Sequence, residues 1–162
     1  MVYGGAIALT YAFRPDAVFG LGVAGYADIE EAKVFPFAFV KWQITDRLRL
    51  TNPFRTSPAG PAGLELSYAV TKQWTVGIGG AYRSHRFRLD SNGPIPNGIG
   101  EYKNIPTFVR LSYKPVPAFG IDLYSGVSFL NKLYVDAPTG DNLYKTKHNV
   151  APLVGVGLSG SF

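Results

Sequence analysis

The segment Gly63–Arg83, GLELSYAVTKQWTVGIGGAYR, decides the fold. In its first half Leu64, Leu66, Tyr68 and Val70 alternate with Gly63, Glu65, Ser67 and Ala69. In its second half Trp74, Val76, Ile78 and Tyr82 alternate with Thr75, Gly77, Gly79, Ala81 and Arg83. Successive Cβ atoms of a strand point to opposite faces, so each half is a strand with one bulky apolar face and one small, polar face. Thr71–Gln73 between them reads as a tight hairpin connection.

The same division recurs along the chain. Tyr3, Gly5, Ile7, Leu9, Tyr11 and Phe13 alternate with Gly4, Ala6, Ala8, Thr10 and Ala12, and Phe19, Leu21 and Val23 alternate with Gly20, Gly22 and Ala24. Further on, Ile105, Val109, Leu111 and Tyr113 oppose Phe108, Arg110 and Ser112, and Phe119, Ile121, Leu123, Val127 and Phe129 oppose Gly120, Asp122, Tyr124, Gly126 and Ser128. The last segment sets Val154, Val156, Leu158 and Phe162 against Gly155, Gly157, Ser159 and Ser161. With weaker strands at Phe35–Ile44 and Leu48–Asn52, the reading gives nine strands. Short connections fall near Arg14–Ala17, Thr45–Arg47, Thr71–Gln73 and Lys114–Ala118, and longer ones near Asp28–Ala32, Pro53–Pro61, Asp90–Lys103 and Asp136–His148. Short turns on one rim and long loops on the other are the plan of an up-and-down membrane barrel.

Composition narrows the choice. Charged residues are 17% of the 162, below the roughly 25% of soluble domains. No run approaches the roughly 18 apolar residues of a membrane-spanning helix. The net charge of +5 comes from singly dispersed Lys and Arg, with no basic run of the kind that marks a nucleic-acid site. With no Cys there is no disulfide framework or thiolate metal site.

A soluble lipocalin-like barrel shows the same alternation with its faces reversed, so its polar phase must be a charged, solvated exterior. Here that phase is mostly Gly, Ala, Ser and Thr, which suits a crowded lumen. Aromatics of the apolar phase gather beside the short turns: Tyr11, Phe13, Phe19, Trp42, Tyr68, Trp74, Tyr113 and Phe119. Strand propensity favours aromatics but selects neither the phase nor the end of the strand. A membrane-interface girdle selects both.

Leu158 and the terminal Phe162 resemble the assembly signal of bacterial outer-membrane barrels, with Gly160 departing from it. Most of the chain also resembles a family of outer-membrane barrels of unknown function, through FVKWQITDRLRL, AGLELSYAVTKQWTVGIGGAYRSHRFRLD and IPTFVRLSYKPVPAFGIDLYSGVSF. That resemblance implies a fold and a location in the bacterial outer membrane, with the lipid bilayer and the barrel-assembly machinery as partners. It implies no activity. Members are longer at the N-terminus. Nine antiparallel strands would leave the first and last parallel, whereas bacterial barrels have even strand numbers. The expectation is therefore a single all-β domain over 1–162. It is an antiparallel up-and-down transmembrane barrel of about 8–10 strands, or the C-terminal part of a larger one, lacking its signal peptide.

Catalytic signals are thin. GLGVAG at Gly20–Gly25 and GVGLSG at Gly155–Gly160 match a dinucleotide fingerprint in letters, but both lie inside strands, without the helix that the motif requires. Ser84 and His85 are adjacent, so on a strand they face opposite ways. Asp90, Asn92 and Glu101 echo a calcium loop, but Ile95 stands where that loop needs Gly. The remaining candidates are the lumen charges Lys41, Arg49, Glu65, Arg83, His85, Arg110 and Asp122. Arg110 and Asp122 are expected to sit opposite each other across the Lys114–Ala118 hairpin, either as a structural ion pair or as part of an anion-favouring lumen. The expected function is a non-catalytic outer-membrane barrel, structural or a narrow passive pore for small ions or solutes, with no cofactor or metal. A lipid-modifying barrel enzyme and a soluble ligand-binding barrel are the competing readings.

Overall fold

The computed structural model describes residues 3–27, 32–52, 63–139 and 142–160. Its elements are all strands: β1 (Tyr3–Arg14), β2 (Ala17–Ala27), β3 (Ala32–Gln43), β4 (Leu48–Thr51), β5 (Leu64–Ala69), β6 (Trp74–Gly80), β7 (Arg83–Arg88), β8 (Ile99–Val116), β9 (Phe119–Asp136), β10 (Asn142–Lys147) and β11 (Ala151–Gly160). All pair antiparallel in one meandering sheet. β6 and β7 flank successive halves of β8, and β11 and β10 flank successive halves of β9, so the eleven strands occupy nine lanes.

The sheet is not closed. Among the described residues β1 pairs only with β2, and the β10/β11 lane pairs only with β9. This corrects the expectation of a barrel completed within these residues. The reason is topological: nine antiparallel lanes leave the two edges running in the same direction, so an antiparallel seam between them is impossible.

Local chemistry fixes the short turns. Arg14 pairs with Ala17 around Pro15–Asp16, where the proline ring presets the φ of the first turn residue. Thr45 and Thr71 act alike: each hydroxyl accepts from the two following backbone amides that close its hairpin, Arg47 and Leu48 in one case (3.3 and 3.0 Å), Gln73 and Trp74 in the other (3.2 and 3.0 Å). Such side-chain bonds make a polar residue the natural choice at a turn.

The long connections are shorter than the sequence suggested. Arg83–Arg88 and Asn142–Lys147 are strands, and the β8–β9 hairpin runs 18 residues on each side. Within the spans Asp90–Lys103 and Asp136–His148, Ile99–Lys103 and Asn142–Lys147 pair as ribbon, with no clean apolar–polar alternation to announce them.

Three of the four lanes about the hairpin break at one level, which marks a bend in the ribbon. β6 gives way to β7 at Ala81–Tyr82, β10 to β11 at His148–Val150, and β9 carries a bulge where Leu130 takes a φ of 50°. Asn131 next to it is 1% exposed and holds the bend together. Its Oδ1 accepts from Tyr102 Oη (2.9 Å) and Ser128 Oγ (2.8 Å), while its Nδ2 donates to the carbonyls of Ser128 and Asn149 (2.9 and 2.8 Å). The left-handed backbone of a leucine costs about 1–2 kcal/mol, which this satisfied network offsets.

The two faces have opposite characters. Leu9 is 83% exposed, Ile78 60%, Val156 68% and Leu158 72%, all on the convex side. Leu66 is also exposed, whereas Gly22 is buried and Ser67 and Gly157 are half-buried on the concave side. The bulky phase thus points outward. The concave side has its own small core, in which Phe108 packs edge-on to Tyr124 (centroids 5.5 Å apart) with Ala81 and Leu153. The Phe108 ring lies over Gly79, and its backbone comes so close to Gly126 that a Cβ there would collide with the Thr107 carbonyl oxygen.

Candidate functional site

The concave face gathers its charges into one cluster. Glu65 lies on β5, Arg110 on β8 and Asp122 on β9, with their side chains 7, 14 and 8% exposed. Arg110 Nε donates to both Glu65 oxygens (3.1 and 3.2 Å), and Nη1 donates to Asp122 Oδ1 (2.9 Å). Between β5 and β8 runs β6, and its residue at this level is Gly77, paired with both Ser67 and Arg110. A Cβ on Gly77 would stand 3.0 Å from Glu65 Oε1, so the glycine leaves the space through which the guanidinium reaches across a whole lane. A buried arginine fork with both partners in place is a satisfied arrangement, and removing either sign would leave the other unpaired.

Arg110 and Asp122 do meet, but not directly opposite each other as the sequence suggested. Arg110 pairs with Tyr124, and Asp122 with Ser112. A register shift between Tyr113 and Val116 moves the ladder, and the ion pair forms on the diagonal, still within reach of a long side chain. The stronger partner, Glu65, is 45 residues away in sequence and was not foreseen. Only the glycine in the intervening strand hinted at it.

Lys41, Arg49, Glu65, Arg110 and Asp122 line a single cavity of about 360 Å³, together with Lys114, Asn52 and Tyr124. Four cations face two carboxylates there. Arg49 Nε donates to Gln43 Oε1 (2.7 Å). Asn52 closes the wall at the end of β4, accepting from the Val40 amide (2.6 Å) and donating to the carbonyls of Ala38 and Gly63. Arg83 and His85 do not line this cavity. They sit on β7 beyond the bend, opposite Asn104 and Tyr102. Ser84 Oγ donates to Glu101 Oε1 (2.7 Å), so its hydroxyl is engaged with a carboxylate. The Asp90 carboxylate accepts from the Asn92 amide (2.7 Å) as the start of a turn, while Glu101 lies on β8 bonded to Lys103 (3.0 Å).

The outward aromatics beside the short turns touch in series. Tyr11 meets Phe13 edge-on (4.7 Å), Phe13 meets Phe19 (5.7 Å), Phe19 meets Trp42 (5.9 Å), and Trp74 stacks on Tyr113 (4.4 Å). Tyr68 and Phe119 are exposed on the same side. Leu158 lies on this face, and Phe162 lies outside the described residues.

The fold and site together define an all-β protein made of one antiparallel meander, with an apolar convex face and a polar concave face closed around an arginine–carboxylate cluster. The chain belongs to the family described as a domain of unknown function, DUF6268, whose family model matches residues 1–160. No curated protein and no solved structure matches it.

Proposed function

We propose that this chain forms the wall of a bacterial outer-membrane β-barrel, non-catalytic, serving as a structural element or a narrow passive pore with a weakly basic lumen. The observation that carries the reading is the outward-facing apolar surface and the way it ends. On β9 the outward residues from Phe119 to Phe129 are bounded by an aromatic at each end. Ten residues at about 3.4 Å each, tilted by about 40°, span about 26 Å, close to the roughly 25 Å apolar band of outer-membrane barrels. Tyr82, exposed beside the bend, lies at the level of Phe129 across the adjoining lane. An apolar surface of this extent is far beyond the few hundred Å² that soluble monomers leave in water.

The concave side supports the rest of the reading. The lining charges of the cavity leave a net +2, which favours anions. Tyr124 is part of the cavity wall and packs edge-on against Phe108, which suits a narrow passage. Closing the wall takes either a parallel seam between β1 and β11 or further strands beside them. Bacterial barrels keep even strand numbers, which favours further strands.

Spin labels test the orientation. In the full-length gene product reconstituted in phosphatidylcholine vesicles, labels at Ile78 and Val156 should be relaxed by oxygen, and labels at Ser67 and Thr75 by a water-soluble nickel chelate. The reverse assignment, or failure to float with the vesicles, refutes the membrane wall. If it holds, planar-bilayer conductance favouring anions identifies a pore, and electrical silence of the inserted protein identifies a structural barrel.

A further inference from the structure

Beyond the bend the β7–β8–β9–β10 ribbon continues past the apolar band, and its outward face changes from greasy to cationic. Lys103 on β8 pairs with Lys132 on β9, and Lys132 pairs with Lys147 on β10. Directly paired residues share a face, so three ammonium groups form one row across three adjacent strands, with neighbouring lanes about 4.8 Å apart. Like charges directly opposite each other destabilise a sheet, a cost that Glu101 relieves at Lys103 and that a bound anion would relieve at Lys132 and Lys147.

The face of the row is fixed by its neighbours. Both Lys103 and Lys145 lie over the Tyr134 ring, at 4.9 and 5.3 Å from its centroid. β8 keeps its phase from Val109 through Ile105 to Lys103, so the row is on the same side as the outward apolar surface. Glu101 partners Lys103 at 3.0 Å. Burial pulls the Lys103 ammonium pKa down, but the hydrogen bond and charge of Glu101 outweigh it and hold the group above its usual value. Lys132 and Lys147 have no carboxylate partner among the described residues. Lys132 lies three residues beyond Phe129, at the upper edge of the apolar band.

We infer that the Lys103–Lys132–Lys147 row is a docking surface for the phosphate groups of a phosphorylated lipid seated against the barrel exterior. The inference rests on the membrane reading above. Its occupant follows from position: a ligand here must present phosphate at the polar boundary while its chains lie along Val109, Leu123 and Phe129. A dissolved polyanion has no use for that apolar neighbour.

The test uses the full-length protein in non-ionic detergent micelles, with lipid A, a bis-phosphorylated glycolipid, as the probe in a thermophoresis titration. A lysine at a membrane surface contributes about fivefold in binding to anionic lipid, so Lys103→Gln, Lys132→Gln and Lys147→Gln together should weaken binding on the order of a hundredfold. The corresponding triple Lys→Arg variant should retain binding, and dephosphorylated lipid A should bind wild type no better than the glutamine variant. Equal affinity of wild type and the glutamine variant for lipid A overturns the inference. Inorganic phosphate binding as tightly as lipid A overturns the lipid as its source. Co-flotation with phosphatidylcholine vesicles separates the two readings. If wild type and variant both float but bind lipid A alike, only the docking surface fails. If neither floats, the membrane wall fails and the docking surface fails with it.

Discussion

Replacing Arg110 by Met removes the guanidinium that holds Glu65 and Asp122 together and leaves two carboxylates facing each other with side chains only 7 and 8% exposed. Breaking a buried ion pair from one side costs about 3–5 kcal/mol, because the abandoned charges stay desolvated. The structure places this case at the upper end, since one cation serves two anions and makes three of its hydrogen bonds to Glu65. Neutralising the anions as well should recover most of the loss. The triple variant Arg110→Met, Glu65→Gln, Asp122→Asn should lie within about 2 kcal/mol of wild type, because no unpaired charge remains. Urea titration in phosphatidylcholine vesicles, followed by fluorescence of Trp42 and Trp74, the chain's two tryptophans, measures both values. A single Arg110→Met variant within about 1 kcal/mol of wild type would show that water reaches the carboxylates. The concave face would then not be the crowded lumen proposed above.

Three further outcomes test other parts of the sheet. Gly126→Ala should lose about 1–3 kcal/mol in the same titration, since its Cβ would collide with the Thr107 carbonyl oxygen, a backbone atom. Asn131→Ala should cost about 2–4 kcal/mol by orphaning the Tyr102 and Ser128 hydroxyls and the Asn149 carbonyl, whereas Leu130→Gly should cost little or stabilise by relieving the φ of 50°. Cysteines at Thr10 on β1 and Gly157 on β11 should stay reduced under mild oxidation of monomeric full-length protein. An intramolecular disulfide would bring the two edge strands within about 7 Å and establish a parallel seam.

The lower half of the sheet was legible because each strand there buries one face and exposes the other, and that asymmetry writes itself as alternation. Gly63–Ala69 and Trp74–Gly80 were readable residue by residue. The upper half was not, because RSHRFR and NLYKTK carry polar residues in both phases and their pairing is set by the neighbouring ladder. The bulge at Leu130–Asn131 also shifts the pairing, so a reader who extends the phase of Phe119–Phe129 puts Lys132 on the wrong face. The Arg110 site was half legible. Its contact with Asp122 crosses one hairpin, whereas its contact with Glu65 crosses an intervening lane that only the strand order supplies.

The open edges follow from the odd number of lanes, and the lysine row follows from the unequal length of the described strands. Among the described residues β4 runs four residues and β8 eighteen, so the β8–β9 hairpin rises well past the level of the cavity. The cavity lies below the bend, with β3, β4 and β5 supplying Lys41, Arg49 and Glu65 and the lower half of β8 supplying Arg110 and Lys114. Above the bend the ribbon buries a few apolar side chains, Ile99 and Val135 among them, and hydrogen bonding and charge add to its order. Asn131 supplies the first. The lysine row works against the second, relieved at Lys103 by Glu101 and at Lys132 and Lys147 only when an anion arrives. A free-standing ribbon that spends stability on three aligned cations makes physical sense where the surroundings already hold phosphate in excess, and the headgroup layer of a phosphorylated membrane is such a place.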